Sequence, residues 1–212
     1  MKEATSTTAQ PGTITPRILR KEGVVKEALG LTDVTTLRAR ARQGVEDGGM
    51  TSGYKANAET VIKLLNDALA TEIMCVLRYK RHYFMASGIN SRNVKAKFLQ
   101  HVTDEQAHAD QLAERIVQLG GELNLSPERL LYRSHSEYVE GDSLVEMIME
   151  DLIAEQIAID SYREMVIYVG ADDSTTCKVL EGILAQEEEH AEDMASLLYE
   201  LGLQAHAHGP GH

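Results

Sequence analysis

Between Pro16 and Pro127 the chain contains no proline. A proline inside a helix removes a hydrogen bond and clashes with the preceding turn, so this stretch is free to form long helices. Val61, Leu64, Leu65, Ala68, Leu69, Glu72, Cys75, Val76 and Tyr79 recur at steps of three and four, one face of a helix. This pattern predicts a first helix over about Ala58–Ala86, stopping before Gly88, and a second over Ser91–Leu119, stopping at Gly120-Gly121. A third starts at Asp142 or Ser143, both good N-cap residues, and runs to Tyr168; a fourth runs from about Asp173 to Leu201, before Gly202. Helices of nearly 30 residues are ~40–45 Å long at 1.5 Å per residue. No segment alternates as a strand would. The connections within the first and second pairs are short, so each pair is an antiparallel hairpin. The polar connection Glu122–Gly141, containing Pro127, is long enough to cross the length of a bundle. The expected fold is all-α, a four-helix bundle with one long crossover connection.

Two Glu-x-x-His pairs lie in this framework, Glu105/His108 in the second helix and Glu187/His190 in the fourth. A three-residue step puts both members of a pair on one helix face. Glu72 precedes Glu105 by 33 residues and Glu155 precedes Glu187 by 32, and each lone glutamate is followed seven residues on by a tyrosine, Tyr79 or Tyr162. The two hairpins thus repeat one pattern. Leu69, Ile73 and Val76 surround Glu72, and Leu152, Ile153, Ile157 and Ile159 surround Glu155. A buried carboxylate costs several kcal/mol unless it is paired or metal-bound. Two dications offset four carboxylates, with neutral imidazoles completing the sites. One Glu from each of two helices and Glu-x-x-His from each of the other two is the di-iron carboxylate arrangement. Carboxylate and imidazole donors suit iron or manganese better than copper(I). Symmetry makes Glu105 and Glu187 the bridges and Glu72 and Glu155 terminal ligands, with His108 and His190 completing one metal each. Tyr79 and Tyr162 stand beside the site, where they can hydrogen-bond the glutamates, supply an electron, or simply pack.

The sequence resembles bacterioferritin and the wider ferritin-like family over about Asn57–Leu203. The motifs that carry the resemblance are Leu65-Asn66-x-x-Leu69-x-x-Glu72 with Tyr79 and His82, Asp104-Glu105-x-x-His108, Asp151-Leu152-x-x-Glu155, and Ile183-Leu184-x-x-Glu187-Glu188-x-His190. The resemblance implies a ferroxidase: iron(II) oxidised by O2 or H2O2 at a di-iron centre, with storage in a hollow homo-oligomer. Where the family carries a haem-ligating methionine this chain has Gln106, so no haem is expected. Gln204–His212 is too short for the fifth helix of 24-subunit ferritins. That favours a dodecamer, as in the mini-ferritins called Dps and their relatives with an intrasubunit site. The family's rubrerythrin branch offers an alternative, a di-iron peroxidase without mineral storage, but no Cys-x-x-Cys module accompanies the bundle.

Charge bounds the remaining readings. The chain has 21 basic and 33 acidic residues, net −12. Residues 1–56 hold nine basic and six acidic residues, a mildly basic extension of +3, so the remainder carries −15. A DNA-protecting role through Arg38, Arg40 and Arg42 is possible but not favoured, because neutralising phosphates takes many more cations. An acidic body instead concentrates cations. Met1–Pro16 reads as disordered. Arg17–Gly30 and Thr32–Gln43 read as short helices. No apolar run is long enough to span a membrane and the first 30 residues lack a signal core, which points to the cytoplasm. Cys75 and Cys177 are too few for a disulfide scaffold, and Cys75 reads as a small buried hydrophobe. His101, one turn before Glu105, reads as an exposed histidine that can pass iron inward with Asp104. Glu188, Glu189, Glu192 and Asp193 read as a solvated or cavity-facing charge run. Met147, Met149, Met165 and Met194 read as core, and His206, His208 and His212 as a tail. The expected organisation is an N-terminal extension (1–56), the bundle (57–203) and a short tail (204–212).

Overall fold

The computed structural model describes residues 30–207. The readings of Met1–Pro16, of nearly all of Arg17–Gly30, and of His208 and His212 lie outside them. The chain divides into two units at Ser52/Gly53. In the first, helix α1 spans Val34–Gln43 and buries no residue. It starts two residues later than the sequence predicts because Asp33 caps it, its side chain accepting from the amides of Thr35 and Thr36.

The second unit holds four long helices, α2 (Ala58–Met85), α3 (Ser91–Gln118), α5 (Leu144–Val169) and α6 (Ser174–Ala207), with a short α4 (Pro127–Arg133) in the crossover. The side chains of Asn57 and Ser143 cap α2 and α5. A 3-10 turn, Gly170–Asp173, leads into α6, where Asp173 accepts from the Thr176 amide. Helix α2 packs chiefly on α3 and α5 on α6, and the two hairpins meet through α2–α5 and α3–α6 contacts. Tyr79, Phe98, Ile148 and Met194 are fully buried toward one end of the bundle. Of the methionines read as core, Met147, Met165 and Met194 are buried, but Met149 faces outward, 43% exposed. No helix among the described residues is long and apolar enough to cross a membrane.

Two features depart from the sequence expectation. The fourth long helix continues through Gly202 to Ala207, since Gly202 lacks the positive φ that ends a helix at a glycine. The crossover contains α4, which opens on Pro127 at its first turn. Leu130 of α4 packs on Ala70 and Met74 of α2. The outward face of α2 holds the rest of the crossover by its backbone. Asn66 donates to the Glu122 carbonyl and accepts from the Asn124 amide, Thr71 accepts from the His135 amide, and Arg78 donates to the Glu137 carbonyl. The crossover ends at Gly141, φ +63°, where a Cβ would lie 2.8 Å from the Met147 amide nitrogen, so only glycine fits.

Candidate metal centre

All six residues singled out by spacing converge in the bundle interior, each no more than 3% exposed. Glu72 comes from α2, Glu105 and His108 from α3, Glu155 from α5, and Glu187 and His190 from α6. His108 Nδ1 lies 2.9 Å from Glu187 Oε1 and 3.4 Å from both Glu72 Oε2 and Glu105 Oε2. His190 Nδ1 lies 3.4 Å from Glu105 Oε1 and 3.5 Å from Glu187 Oε2. Glu105 and Glu187 therefore each turn one oxygen toward each histidine. The donor atoms form two groups, Glu72/Glu105/His108/Glu187 and Glu105/Glu155/Glu187/His190, each within 4.8 Å and sharing Glu105 and Glu187.

The surroundings repeat with a two-fold relation. The Tyr79 hydroxyl donates to Glu155 Oε1 and the Tyr162 hydroxyl to Glu72 Oε1, so each tyrosine serves the glutamate of the other hairpin. Gln186, one residue before Glu187, places Oε1 3.1 Å from His108 Nε2, and Asp104, one residue before Glu105, brings Oδ2 to 3.5 Å from His190 Nε2. With its Nε2–H donated to Gln186, His108 presents Nδ1 to the cluster. Gln186 has no role in the sequence reading, although its place beside Glu187 mirrors that of Asp104 beside Glu105.

Burial raises Glu72 and Glu155 well above the ordinary carboxylate value, and the charges of Glu105 and Glu187 add to it. Burial acts the same way on Glu105 and Glu187, but the imidazoles of His108 and His190 beside them outweigh it and hold both below that value. Burial likewise pulls the two imidazoles down, and their glutamate partners outweigh it. His108 is raised strongly and His190 to about 10.

His101 is fully buried rather than exposed, since a residue four before the buried Glu105 lies on the same helix face. Its ring stacks on His190 with centroids 4.0 Å apart. Asp193, read as part of a solvated run, bonds both His101 Nε2 and Lys97. Glu188 of that run is exposed and pairs with Arg163. Cys75 is buried and belongs to neither donor group; burial pushes its thiol up, and Arg78 donates to its Sγ at 3.5 Å. Cys177 lies near the start of α6, its Sγ 3.6 Å from Glu181 Oε1. Gln106 is exposed and donates to Asp110.

Whether these residues suit metal ions is decided by their unmet hydrogen bonds. Of twelve buried side-chain nitrogens and oxygens without a hydrogen-bond partner among the described residues, ten belong to the six residues and His101. Buried polar atoms are almost always partnered, and ten orphans converging on one point fit cations. The donor set is oxygen and imidazole nitrogen, which suits iron or manganese.

Fold and cluster together define a helical bundle of the carboxylate–histidine type. The chain belongs to the ferritin-like family: the family's domain, described as ferritin-like, matches residues 62–203. It is 26% identical to a bacterioferritin of Desulfovibrio desulfuricans over 146 residues, 67% of this chain and 78% of that one. It is 29% identical to DNA protection during starvation protein 2 of Bacillus anthracis over 135 residues, 62% of this chain and 91% of that one. Among solved structures it resembles the dodecameric thioferritin of Bacteroides fragilis, a bacterioferritin-related protein, with a TM-score of 0.71 and 26% identity over 74% of this chain and 94% of that one.

Proposed function

We propose that the bundle is a ferroxidase that binds two iron(II) ions per subunit as substrate, oxidises them, and delivers ferric product to storage in a hollow homo-oligomer. The observation that carries this reading is the division of Glu105 and Glu187, each with one oxygen toward His108 and the other toward His190. Shared carboxylates hold two cations side by side, so two electrons are available to one acceptor. Two iron(II) ions become two iron(III) ions. O2 takes the two electrons and two protons to give H2O2, or H2O2 takes them to give two waters. Glu72 and His108 complete one position, and Glu155 and His190 the other. Tyr79 and Tyr162 hold the terminal carboxylates in place.

Storage depends on assembly, because one bundle cannot enclose a mineral. The likeness to a dodecameric relative and the net charge of −12 support a closed, cation-attracting shell of twelve copies. In this reading residues 57–203 form the iron-handling bundle, 1–56 an extension and 204–212 a tail. Anaerobic loading with two iron(II) per subunit, followed by rapid mixing with O2 or H2O2, tests the oxidation step. Size exclusion after larger additions tests storage, with iron expected to co-elute with the oligomer. Oxidation no faster than in buffer refutes the ferroxidase; fast oxidation with no retained iron leaves the peroxidase alternative.

A further inference from the structure

We propose that His101 is a seventh ligand of the dimetal cluster, joining Glu155 and His190 so that the two metal positions are chemically unequal. The inference rests on reading the cluster as a dimetal site.

His101 sits in α3, fully buried. A ring nitrogen of His101, a Glu155 oxygen and a ring nitrogen of His190 lie within 4.8 Å of one another. Nε2 is committed to Asp193 Oδ2 at 3.3 Å, and that oxygen also accepts from Lys97 Nζ at 2.6 Å. A carboxylate acceptor fixes the proton on Nε2, which leaves Nδ1 as a bare lone pair. That atom is buried and has no hydrogen-bond partner among the described residues. A histidine kept for packing has no reason to leave a buried nitrogen orphaned. A metal-binding histidine has this arrangement: one nitrogen donates to a carboxylate and the other faces the cation.

The repeat supplies an internal control. The position four residues before Glu187 corresponds to that of His101 before Glu105, and it holds Ile183, also fully buried. Bundle packing at this position is therefore met by an aliphatic side chain. The carboxylate that orients His101 is equally one-sided. Asp193 follows His190 by three residues, whereas Gln111 follows His108 by three and turns back to the Ala107 carbonyl. Ligand and orienting carboxylate are both present in one half and both absent in the other. The position nearer Glu155 then has two imidazoles, and added imidazole favours the later divalent transition metals over carboxylate-only sites.

Cobalt(II) binding to the apo full-length protein tests this, followed by calorimetry and by the visible d–d absorption. The wild type is expected to take up two ions per subunit in two unequal steps. His101→Ile, which copies the other half, should weaken the tighter step by about ten- to hundredfold and alter its d–d band. Asp193→Ala, which leaves His101 in place, should weaken the same step and spare the other. Identical isotherms and spectra for wild type and H101I overturn the proposal. If H101I fails to fold, an unchanged tight step in D193A overturns it instead. A wild type that binds no cobalt refutes the dimetal reading itself, and this proposal with it.

Discussion

Loading the cluster should release about four protons for every two metal ions, and the number follows from its charge balance. Without metal, the two histidines favour the ionised forms of Glu105 and Glu187, while burial favours the protonated forms of Glu72 and Glu155. Their glutamate partners favour the imidazolium forms of His108 and His190. Two anions and two cations leave the buried cluster neutral. Filled with two dications it holds four carboxylates and two neutral imidazoles, and is neutral again. The exchange of four protons for two dications thus keeps net charge out of the low-dielectric interior, where it would cost several kcal/mol. His101, held low first by burial and then by the His190 charge, contributes none. Each of the four groups keeps its proton below its own raised value, so metal binding strengthens as pH rises through neutrality. The slope begins to fall as pH nears about 10, where His190 starts to lose its proton without metal. At 1.36 kcal/mol per proton per pH unit, the two-metal binding free energy should change by about 5 kcal/mol per pH unit near pH 7. Zinc(II), which is redox-inert, added to the apoprotein in a pH-stat measures the release directly. Two protons or fewer per two zinc ions would refute the charge assignment.

Glu105→Ala or Glu187→Ala should abolish rapid iron(II) oxidation while far-ultraviolet circular dichroism stays helical, because removing a bridge lets a neighbouring imidazole shed its proton and keeps the interior neutral; stopped-flow rates equal to wild type in either variant would sink the bridging assignment. Asp151→Ala should cost about 3–5 kcal/mol in urea unfolding, since it leaves the Arg78 guanidinium, 1% exposed and bonded to Asp151 at 2.8 Å, as a buried unpaired charge. Asp173→Ala should lower stability by about 2–3 kcal/mol in the same assay, because its carboxylate accepts from Tyr54, Arg115 and Thr176 at once. Those partners hold Asp173 below its ordinary value despite burial, so its contribution is present at neutral pH and is lost as pH falls through the acid range; an unfolding midpoint equal to wild type at pH 7 would contradict this. Light scattering should find about 281 kDa, twelve copies of a 23.4 kDa chain, and a stable dimer would count against a storage shell.

What was legible in the sequence was set by how far each signal reaches along the chain. The six residues declare themselves because a cluster built from four helices needs fixed steps within helices and a fixed spacing between them. Glu72 to Glu105 and Glu155 to Glu187 carry that spacing openly. Helix α4 does not, because seven residues are too few for a periodic pattern and too few to be stable alone. Its stability comes from Leu130 packing on α2. The outward face of α2 is hidden for the same reason. Asn66, Thr71 and Arg78 are buried polar residues that each have a backbone partner some 56 to 64 residues away, which no local rule finds. His101 was within reach. Four residues before the buried Glu105 is an inward position, although His101 was read as exposed.

Duplication explains the geometry of the centre and also exposes where the halves have diverged. A repeat of Glu, Tyr and Glu-x-x-His in two hairpins makes two positions that share two carboxylates, with each tyrosine crossing to the opposite glutamate. By itself such a repeat yields two equivalent positions. Three departures from equivalence gather beside His190. His190 is approached by an acid, Asp104, where His108 has the neutral Gln186. His101 and Asp193 stand where the other half has Ile183 and Gln111. Asp104 and Asp193 are partly exposed, 27% and 33% at the side chain, and their counterparts Gln186 and Gln111 are exposed as well. In the proposed dimetal reading, Glu105 and Glu187 must keep their spacing for both cations to be held at all. Residues one step out are free to vary, and variation there can set the order in which the two positions fill without disturbing the bridge between them.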